Sequence, residues 1–272
     1  MRILVIPDVQ AKPGHDFSFL LRAGQYMVDK KPDVVVCIGD FGDMPSLSSY
    51  DKGKKAFEGR RYKRDVESSI EAMSAFLTPL TDFTERSRRN KEKLYKPRMV
   101  LTLGNHEHRI DRATNDDPML AGMLSIDDLK YKEFGWEVHP FLEVVVIEGI
   151  AFSHYFVTGV AGRPASTAAA QLRKTNMSCV AGHQQGKQIA YATRADGSTI
   201  TSIIAGSFYE HDEDYLGSQG NKHWRGCLML NEVKDGAFDE MWISMSYLNQ
   251  KYAHLSLPPD YSKVPMPELA PR

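Results

Sequence analysis

Short apolar segments that each end in a polar side chain most constrain the fold of this chain. Residues 3–6 and 34–38 are continuous runs of Ile, Leu, Val and Cys, a pattern typical of strands that are buried on both faces. Between them, residues 17–28 have apolar side chains at helical spacing, which predicts a βαβ unit with parallel strands. The two strands lead into Asp8 and Asp40, and open α/β folds place their functional sites at the carboxyl ends of such strands.

The same arrangement recurs further along the chain. Three later apolar segments also lead into polar side chains: 99–103 before Asn105 and His106, 151–153 before His154, and 178–181 before His183. A helix is expected at 164–174, opened by a proline and rich in alanine. Residues 188–193 with 199–204, and 226–233 with 238–245, turn at Asp-Gly pairs as antiparallel hairpins do, so we expect a second, mixed sheet.

The length of 272 residues predicts a single domain over residues 1–254. An insertion at about 44–97 carries apolar residues at helical spacing over 66–77, which predicts a helical cap. Residues 255–272 contain five prolines and are expected to form an irregular tail.

Both edges of the insertion are basic, at residues 52–64 and 86–98. If these edges lie near the site, their positive charges suit a phosphodiester backbone. Arg60, Arg61 and Arg64 are the candidate substrate contacts.

Composition limits the location and the partners of the protein. The net charge of −1 gives no overall attraction to nucleic acid or acidic membranes, so any such affinity must be local. Cys37, Cys179 and Cys227 are widely separated, which fits a reducing compartment and small buried residues. Because no signal peptide or membrane-spanning stretch is evident, we expect a cytoplasmic protein with no membrane partner.

Five segments, in order, carry the side chains that a pair of divalent ions needs. Such a pair takes a bridging carboxylate with oxygen and imidazole donors on either side. The segments are DVQ at 8–10, GDFGD at 39–43, GNHE at 104–107, His154, and GHQQ at 182–185. Their order and spacing resemble the calcineurin-like metallophosphoesterase superfamily, whose pattern is DxH, GDxxD, GNH[ED], a lone His and GHxH. Residues 43–50, with the charged insertion after them, resemble predicted phosphoesterases of tailed bacteriophages.

The resemblance implies a fold and a set of metal ligands. The fold is a four-layer α/β/β/α sandwich, in which two mixed β-sheets pack face to face and helices flank them. Asp40 would bridge two divalent ions. The first ion would be bound by Asp40, Asn105, His154 and His183, and the second by Asp8, Asp40, Gln10 and Gln185.

Gln10 and Gln185 depart from the family pattern, which has histidines at both places. A glutamine amide is a hard, neutral and weak oxygen donor, so ions that favour imidazole lose affinity there. We therefore expect Mn²⁺ or Mg²⁺, with one tight and one labile site. The alternative is that the second ion is absent.

The resemblance also implies catalytic roles. His106 would contact phosphate and protonate the leaving oxygen, and Asp43 would hold its orientation. Arg109 would either bind a phosphate oxygen or form a surface salt bridge. Glu107 is expected to support the loop through backbone hydrogen bonds. Four histidines outside the motifs are expected at the surface, namely His108, His139, His211 and His223.

Together these features predict a metal-dependent phosphoesterase that hydrolyses phosphodiester bonds by metal-activated hydroxide. It would be a nuclease or a nucleotide phosphodiesterase, with DNA, RNA or a nucleotide as its partner. One alternative is a catalytically lapsed module that binds phosphate or nucleic acid, which the two glutamines favour. The other is a phosphomonoesterase or protein phosphatase.

Overall fold

The computed structural model describes residues 1–213 and 216–258, apart from the side chain of Ala56. Its strands are β1 (Ile3–Ile6), β2 (Val34–Cys37), β3 (Arg98–Thr102), β4 (Glu137–His139), β5 (Val145–Ile147), β6 (Ile150–Phe152), β7 (Val157–Thr158), β8 (Arg163–Pro164), β9 (Cys179–Ala181), β10 (Lys187–Thr193), β11 (Thr199–Ala205), β12 (Gly226–Lys234) and β13 (Ala237–Ser244). Its α-helices are α1 (Ser18–Lys30), α2 (Tyr62–Arg89), α3 (His108–Asp116), α4 (Ala168–Thr175), α5 (Gly217–Gly220) and α6 (Met245–Lys251).

The first sheet has the strand order β13-β12-β1-β2-β3-β4 over the described residues. The strands β1 to β4 are parallel, and β12 lies antiparallel to β1 with Leu230 opposite Ile3. Because β1, β2 and β3 are parallel, their carboxyl ends meet at one edge, as the sequence predicted. The hairpin of β12 and β13 belongs to this sheet, whereas the hairpin of β10 and β11 belongs to the second.

The second sheet has the order β10-β11-β9-β6-β5. Strands β6, β9 and β11 are parallel to one another, and β5 and β10 are antiparallel at the two edges. The sheet is therefore mixed, as expected.

The two sheets pack face to face through an apolar core. Ile3, Val36 and Leu228 of the first sheet cluster with Phe152 and Ile203 of the second. The other face of the first sheet is covered by α1 and α2, and α4 lies against the second sheet. This is the predicted four-layer sandwich. The central strands are buried on both faces, which explains why their sequences are continuously apolar.

Two helices differ from their predictions. Helix α4 begins at Ala168, because the Thr167 hydroxyl accepts a hydrogen bond from the N–H of Ala170 at 3.1 Å, and Pro164 lies in β8 instead. Helix α2 does not form a cap over the site. It buries Met73 and Phe76 in the core shared with α1, and only its first turns approach the site.

The second basic edge, at residues 86–98, does not line the site. Helix α2 has 28 residues and is therefore about 42 Å long, which separates its two basic ends. The predicted tail lies outside the described residues from residue 259 onward. All three cysteines are buried and unbridged, as expected. Across the described residues, every helix is too short or too polar to cross a bilayer.

Candidate functional site

The residues of the predicted motifs come together where strands of both sheets end. Asp8 follows β1, Asp40 follows β2 and Asn105 follows β3, all in the first sheet. His154 and His183 follow β6 and β9 of the second sheet. The site therefore lies at the edge that the two sheets share.

Four donor atoms lie close together at this edge. The Nε2 of His154 lies 2.9 Å from Asn105 Oδ1 and 3.3 Å from Asp40 Oδ2. The Nδ1 of His183 lies 2.8 Å from Asn105 Oδ1 and 3.3 Å from His154 Nε2. Donor atoms around one ion, at bond lengths of about 2.0–2.2 Å, are separated by about 3–3.5 Å. The carboxylate, the amide oxygen and the two imidazole nitrogens therefore fit one divalent ion.

The protonation of His154 is arranged by the backbone behind it. Its Nδ1 lies 2.8 Å from the carbonyl oxygen of Ile38, which can only accept a hydrogen bond. In the neutral ring the proton is therefore on Nδ1, and the lone pair of Nε2 faces the other donors.

Two glycines allow the loops of the site to approach each other. A Cβ at residue 104 would collide with the carboxylate of Asp40, and a Cβ at residue 182 would collide with that of Asp8. Gly104 and Gly182 are therefore required by close packing around the two acids.

Several site residues other than glycine have a left-handed backbone. The φ angle is +47° at Gln10, +47° at Asp40, +67° at His183 and +58° at Gln185. Each such conformation costs about 1–3 kcal/mol, and such strain gathers at functional sites.

The carboxylate of Glu107 fastens the loops that carry these residues. It is fully buried and accepts hydrogen bonds from the backbone N–H groups of Asp40 at 3.0 Å, Gly42 at 2.9 Å and Gly104 at 2.9 Å. The expected supporting role of Glu107 is therefore confirmed.

His106 lies beside the donor cluster and is held by Asp43. Its Nδ1 lies 2.6 Å from Asp43 Oδ1, and its Nε2 lies 3.7 Å from Asp40 Oδ2. Arg109 donates to the carbonyl oxygen of Asp43 at 2.7 Å. The side chain of Arg109 is 11% exposed and lines the cleft over the cluster, so Arg109 belongs to the site and is not a surface residue. Asp43 is thus fixed between a ring and a guanidinium, and the ring presents Nε2 to the cluster.

Burial and neighbouring charges give the acids and imidazoles of the site different pKa values. Burial raises the pKa of Asp8 to about 7, and repulsion from Asp40 adds to it against the attraction of His154. Burial alone would raise the pKa of Asp40, but the attraction of His106 and His154 outweighs burial, so this pKa lies far below its ordinary value. Burial lowers the pKa of His183 to about 4, which leaves its lone pair available at neutral pH.

The residues predicted for a second ion have other surroundings. Gln185 accepts a hydrogen bond on Oε1 from the hydroxyl of Tyr209 at 2.7 Å. Gln10 lines a separate cavity of ≈ 220 Å³, and its amide nitrogen and oxygen are buried without a hydrogen-bond partner among the described residues. Asp8 accepts the N–H of His183 on both carboxylate oxygens, at 3.1 and 2.9 Å. These residues offer no imidazole, so they do not match the donor set of the first position.

A cleft of ≈ 1500 Å³ opens over the donor cluster. This is larger than the pockets of about 300–1000 Å³ that usually hold small molecules. Its charged and aromatic lining includes Lys12, His15, Asp40, Asp43, Tyr50, Asp51, Lys54, Glu58, Arg60, Arg61, Arg64, Asp65, His106, Arg109, His183, Asp212 and Glu213.

The three arginines predicted to contact substrate all line this cleft. Arg60 is bound to Asp51 at 2.8 Å. Arg61 and Arg64 are exposed, and the ion pair that Arg64 forms with Glu67 in the described part of the chain is long, at 3.6 Å. The last two therefore keep most of their charge available to a ligand.

Tyr50 is a cleft residue that the sequence analysis did not identify. Its side chain is 79% exposed and lines the cleft beside these arginines. By contrast, the hydroxyl of Tyr62 is bound to Asp128 at 2.7 Å. The available signal was a lone aromatic residue in the polar run 48–54.

The expectation that His211 is a surface imidazole is wrong. Its side chain is 7% exposed, its Nε2 lies 2.7 Å from Glu213 Oε1, and its ring stacks on Tyr209 at 4.6 Å. Lys12 binds the same carboxylate at 2.7 Å, and His15 lies 4.6 Å from the His211 ring. The loop after β11 folds against residues 12–15, which are about 200 positions away, so local spacing could not predict this contact.

Comparisons with known proteins agree with this geometry. The sequence profile described as calcineurin-like phosphoesterase matches residues 1–196, which include all the predicted metal ligands. The Gene 54 protein of Mycobacterium phage L5 is 33% identical over 144 residues, which are 51% of this chain and 51% of that protein. The Gene 54 protein of Mycobacterium phage D29 is 34% identical over 108 residues, which are 40% of this chain and 36% of that protein.

The chain spans about half or less of the length of these curated relatives, whose names state no activity. The family profile covers most of the chain, and the order of the motifs, the sandwich fold and the donor cluster all agree with it. On these grounds the chain belongs to the calcineurin-like phosphoesterase family.

Proposed function

We propose that this protein is a metal-dependent phosphodiesterase that cleaves nucleic acid or an oligonucleotide. The observation that carries the proposal is the placement of His106, whose Nδ1 lies 2.6 Å from Asp43 while its Nε2 faces the donor cluster. Hydrolysis of a diester expels an alkoxide, which needs a proton as the bond breaks. An imidazole next to the cluster is suited to supply that proton.

The chain supplies both the ligands and the acid for this reaction. Asp40, Asn105, His154 and His183 would hold a divalent ion, which when bound polarises a phosphoryl oxygen and lowers the pKa of water. Burial lowers the pKa of His106, but Asp40 and Asp43 together outweigh burial and the repulsion from Arg109, and they leave this pKa above its ordinary value. A raised pKa favours the protonated ring, which can donate from Nε2.

The cleft supports a polymeric diester as the substrate. Its volume of ≈ 1500 Å³ leaves room on either side of the reacting phosphate. Arg61 and Arg64 are exposed on its wall, where they can contact neighbouring phosphates, and Tyr50 offers a ring on which a base can stack. A small phosphomonoester would use none of these groups.

The donor set also bears on the choice of metal. Mg²⁺ prefers ligands that are mostly oxygen, whereas imidazole nitrogens suit transition metals. With two imidazoles, one carboxylate and one amide, we propose Mn²⁺ as the activating ion in preference to Mg²⁺.

The test is hydrolysis by metal-stripped protein to which Mn²⁺, Mg²⁺, Ni²⁺ or Zn²⁺ is added back. The substrates are bis-p-nitrophenyl phosphate, p-nitrophenyl phosphate and a single-stranded oligonucleotide. We expect turnover of the two diesters with Mn²⁺. His106→Asn should reduce kcat for the oligonucleotide by about 10²–10⁴-fold and kcat for bis-p-nitrophenyl phosphate by much less, because p-nitrophenolate leaves without being protonated. The matched control is His108→Asn. His108 is two residues away in the sequence but lies outside the donor cluster, so this variant should retain activity.

Other results would point to the alternative functions. Faster turnover of the monoester than of both diesters would indicate a phosphomonoesterase. Binding of the oligonucleotide with Mn²⁺ present but no hydrolysis of any substrate would indicate a binding module that has lost catalysis.

A further inference from the structure

The carboxylate of Asp8 binds the backbone of His183, one of the residues of the donor cluster. Both of its carboxylate oxygens accept the N–H of His183, at 3.1 and 2.9 Å, and Asp8 is completely buried. The φ angle of His183 is +67°, a left-handed conformation that is uncommon for residues other than glycine. Asp8 therefore fixes the loop that brings the imidazole of His183 to the donor cluster.

The amide of Gln185 is directed by a buried phenol. The hydroxyl of Tyr209 donates to Gln185 Oε1 at 2.7 Å, and that oxygen is the only atom of the side chain that can bind a cation. Tyr209 is itself completely buried and stacks on His211, with the guanidinium of Arg225 4.9 Å from its ring. The phenol cannot turn away without disturbing this stack, so the amide oxygen is held toward Tyr209.

Gln10 lines the second cavity and does not line the main cleft. Its amide is neutral, so a cation on that side would depend on the charge of Asp8. Asp8 would then have to bind that cation and the N–H of His183 at the same time. This would weaken the hold of Asp8 on His183, which is a ligand of the first ion.

Two positive side chains lie in the main cleft. Lys12 and Arg109 line the cleft together with Asp40 and Asp43. Both are largely buried, with 18% and 11% of their side chains exposed, so their charges are poorly screened by solvent. Lys12 is paired with Glu213 at 2.7 Å and Arg109 with Asp43 at 3.4 Å, so these cations engage two carboxylates that could otherwise bind a second ion.

We propose that this chain binds a single divalent ion, at Asp40, Asn105, His154 and His183, and that Asp8 is a positioning residue for His183. The chain thus departs from the two-ion arrangement that its motifs imply. The proposal concerns the number of ions and the role of Asp8, and it holds whether the substrate is a diester or a monoester.

The test counts ions and does not measure activity. The purified protein, with all 272 residues, is saturated with Mn²⁺ and gel-filtered, and its metal content is measured by mass spectrometry and by calorimetric titration. Frozen-solution electron paramagnetic resonance then distinguishes an isolated Mn²⁺ from an exchange-coupled pair. We expect one Mn²⁺ per chain with the spectrum of an isolated ion. Two Mn²⁺ per chain, a coupled spectrum, or no bound Mn²⁺ would each overturn the proposal.

A variant that restores the family pattern tests whether the absence of histidines at positions 10 and 185 limits the chain to one ion. In Gln10→His combined with Gln185→His, we expect a second Mn²⁺ and a coupled spectrum, provided that far-ultraviolet circular dichroism matches the parent. Asp8→Asn tests whether Asp8 positions His183 or binds an ion itself, and it introduces no additional metal ligand. It should still bind one Mn²⁺, at least 10-fold more weakly, because His183 is less well held. Unchanged Mn²⁺ affinity in Asp8→Asn would contradict the positioning role.

Discussion

Asp43 is expected to control the pKa of His106, the proposed general acid, and is not itself one of the four metal-binding residues. Its carboxylate lies 2.6 Å from Nδ1 of His106, and its negative charge favours the protonated ring. In Asp43→Asn that charge is lost, so the pKa of His106 falls. Because the acid must be protonated to act, we expect the alkaline limb of the pH profile of kcat/KM to move to lower pH.

The same substitution should reduce kcat about 10-fold or more at neutral pH, with a smaller change in KM. The control is Asp51→Asn, which removes another cleft carboxylate that binds Arg60. An alkaline limb that stays in place in Asp43→Asn would show that Asp43 does not act through His106.

Glu107 is the residue whose loss we expect to destabilise the loops most. In Glu107→Gln an amide N–H₂ replaces one acceptor oxygen and faces a backbone N–H of Asp40, Gly42 or Gly104. Leaving buried donors unpaired costs about 1–3 kcal/mol each. We expect a free energy of unfolding lower by about 3 kcal/mol, measured by urea denaturation. Glu92→Gln, at an exposed position, should change it by less than about 0.5 kcal/mol, and an equal effect in both variants would refute the argument.

At this scale the sequence predicted the convergence of the candidate metal-binding side chains better than the contacts that support them. Asp40, Asn105, His154 and His183 follow strands of recognisable pattern, so their convergence could be expected. The bond of Tyr209 to Gln185 and that of Lys12 to Glu213 could not, because each depends on how a distant loop folds back. Tertiary contacts of this kind leave no local periodicity.

Among the elements, the start of α2 brings two exposed arginines to the cleft. If Arg61 and Arg64 contact phosphates, each neutralises about one charge and releases counterions. In Arg61→Ala with Arg64→Ala, we expect weaker oligonucleotide binding and a slope of log K against log salt that is smaller by about 1–2. Fluorescence anisotropy at several salt concentrations measures both.

The opposite end of the same helix provides a matched control. Arg88 and Arg89 are exposed in the last turn of α2 and do not line the cleft. Arg88→Ala with Arg89→Ala changes the net charge equally. If it reduced the slope as much as the first pair did, the effect would be one of overall charge and not of the cleft.

The elements show where sequence patterns suffice and where they fail. The strands leading to the site were predicted within about one residue, because burial on both faces makes them continuously apolar. The start of α4 was missed, since the Thr167 cap and the pairing of Pro164 in β8 depend on neighbouring chain. The placement of α2 was missed because an apolar stripe predicts a helix but does not name the surface that it packs against.

For the whole molecule, the donor cluster joins the two halves of the sandwich. Asp40 and Asn105 belong to loops of the first sheet, and His154 and His183 to loops of the second. An ion bound to all four would link the sheets at the edge where their strands end. Its binding energy would therefore add to the stability of the whole domain.

Removal of the ion should consequently lower the melting temperature of the complete fold. At a Mn²⁺ concentration of about 100 Kd, a site that exists only in the folded state adds about 2.7 kcal/mol. For a chain of this size that corresponds to a melting temperature about 5–10 °C higher with Mn²⁺ than with a chelator, measured by scanning calorimetry. His183 is only partly buried, so His183→Ala should fold normally and lose most of this difference. If wild type melted at the same temperature in Mn²⁺ and in chelator, no ion would be linking the sheets.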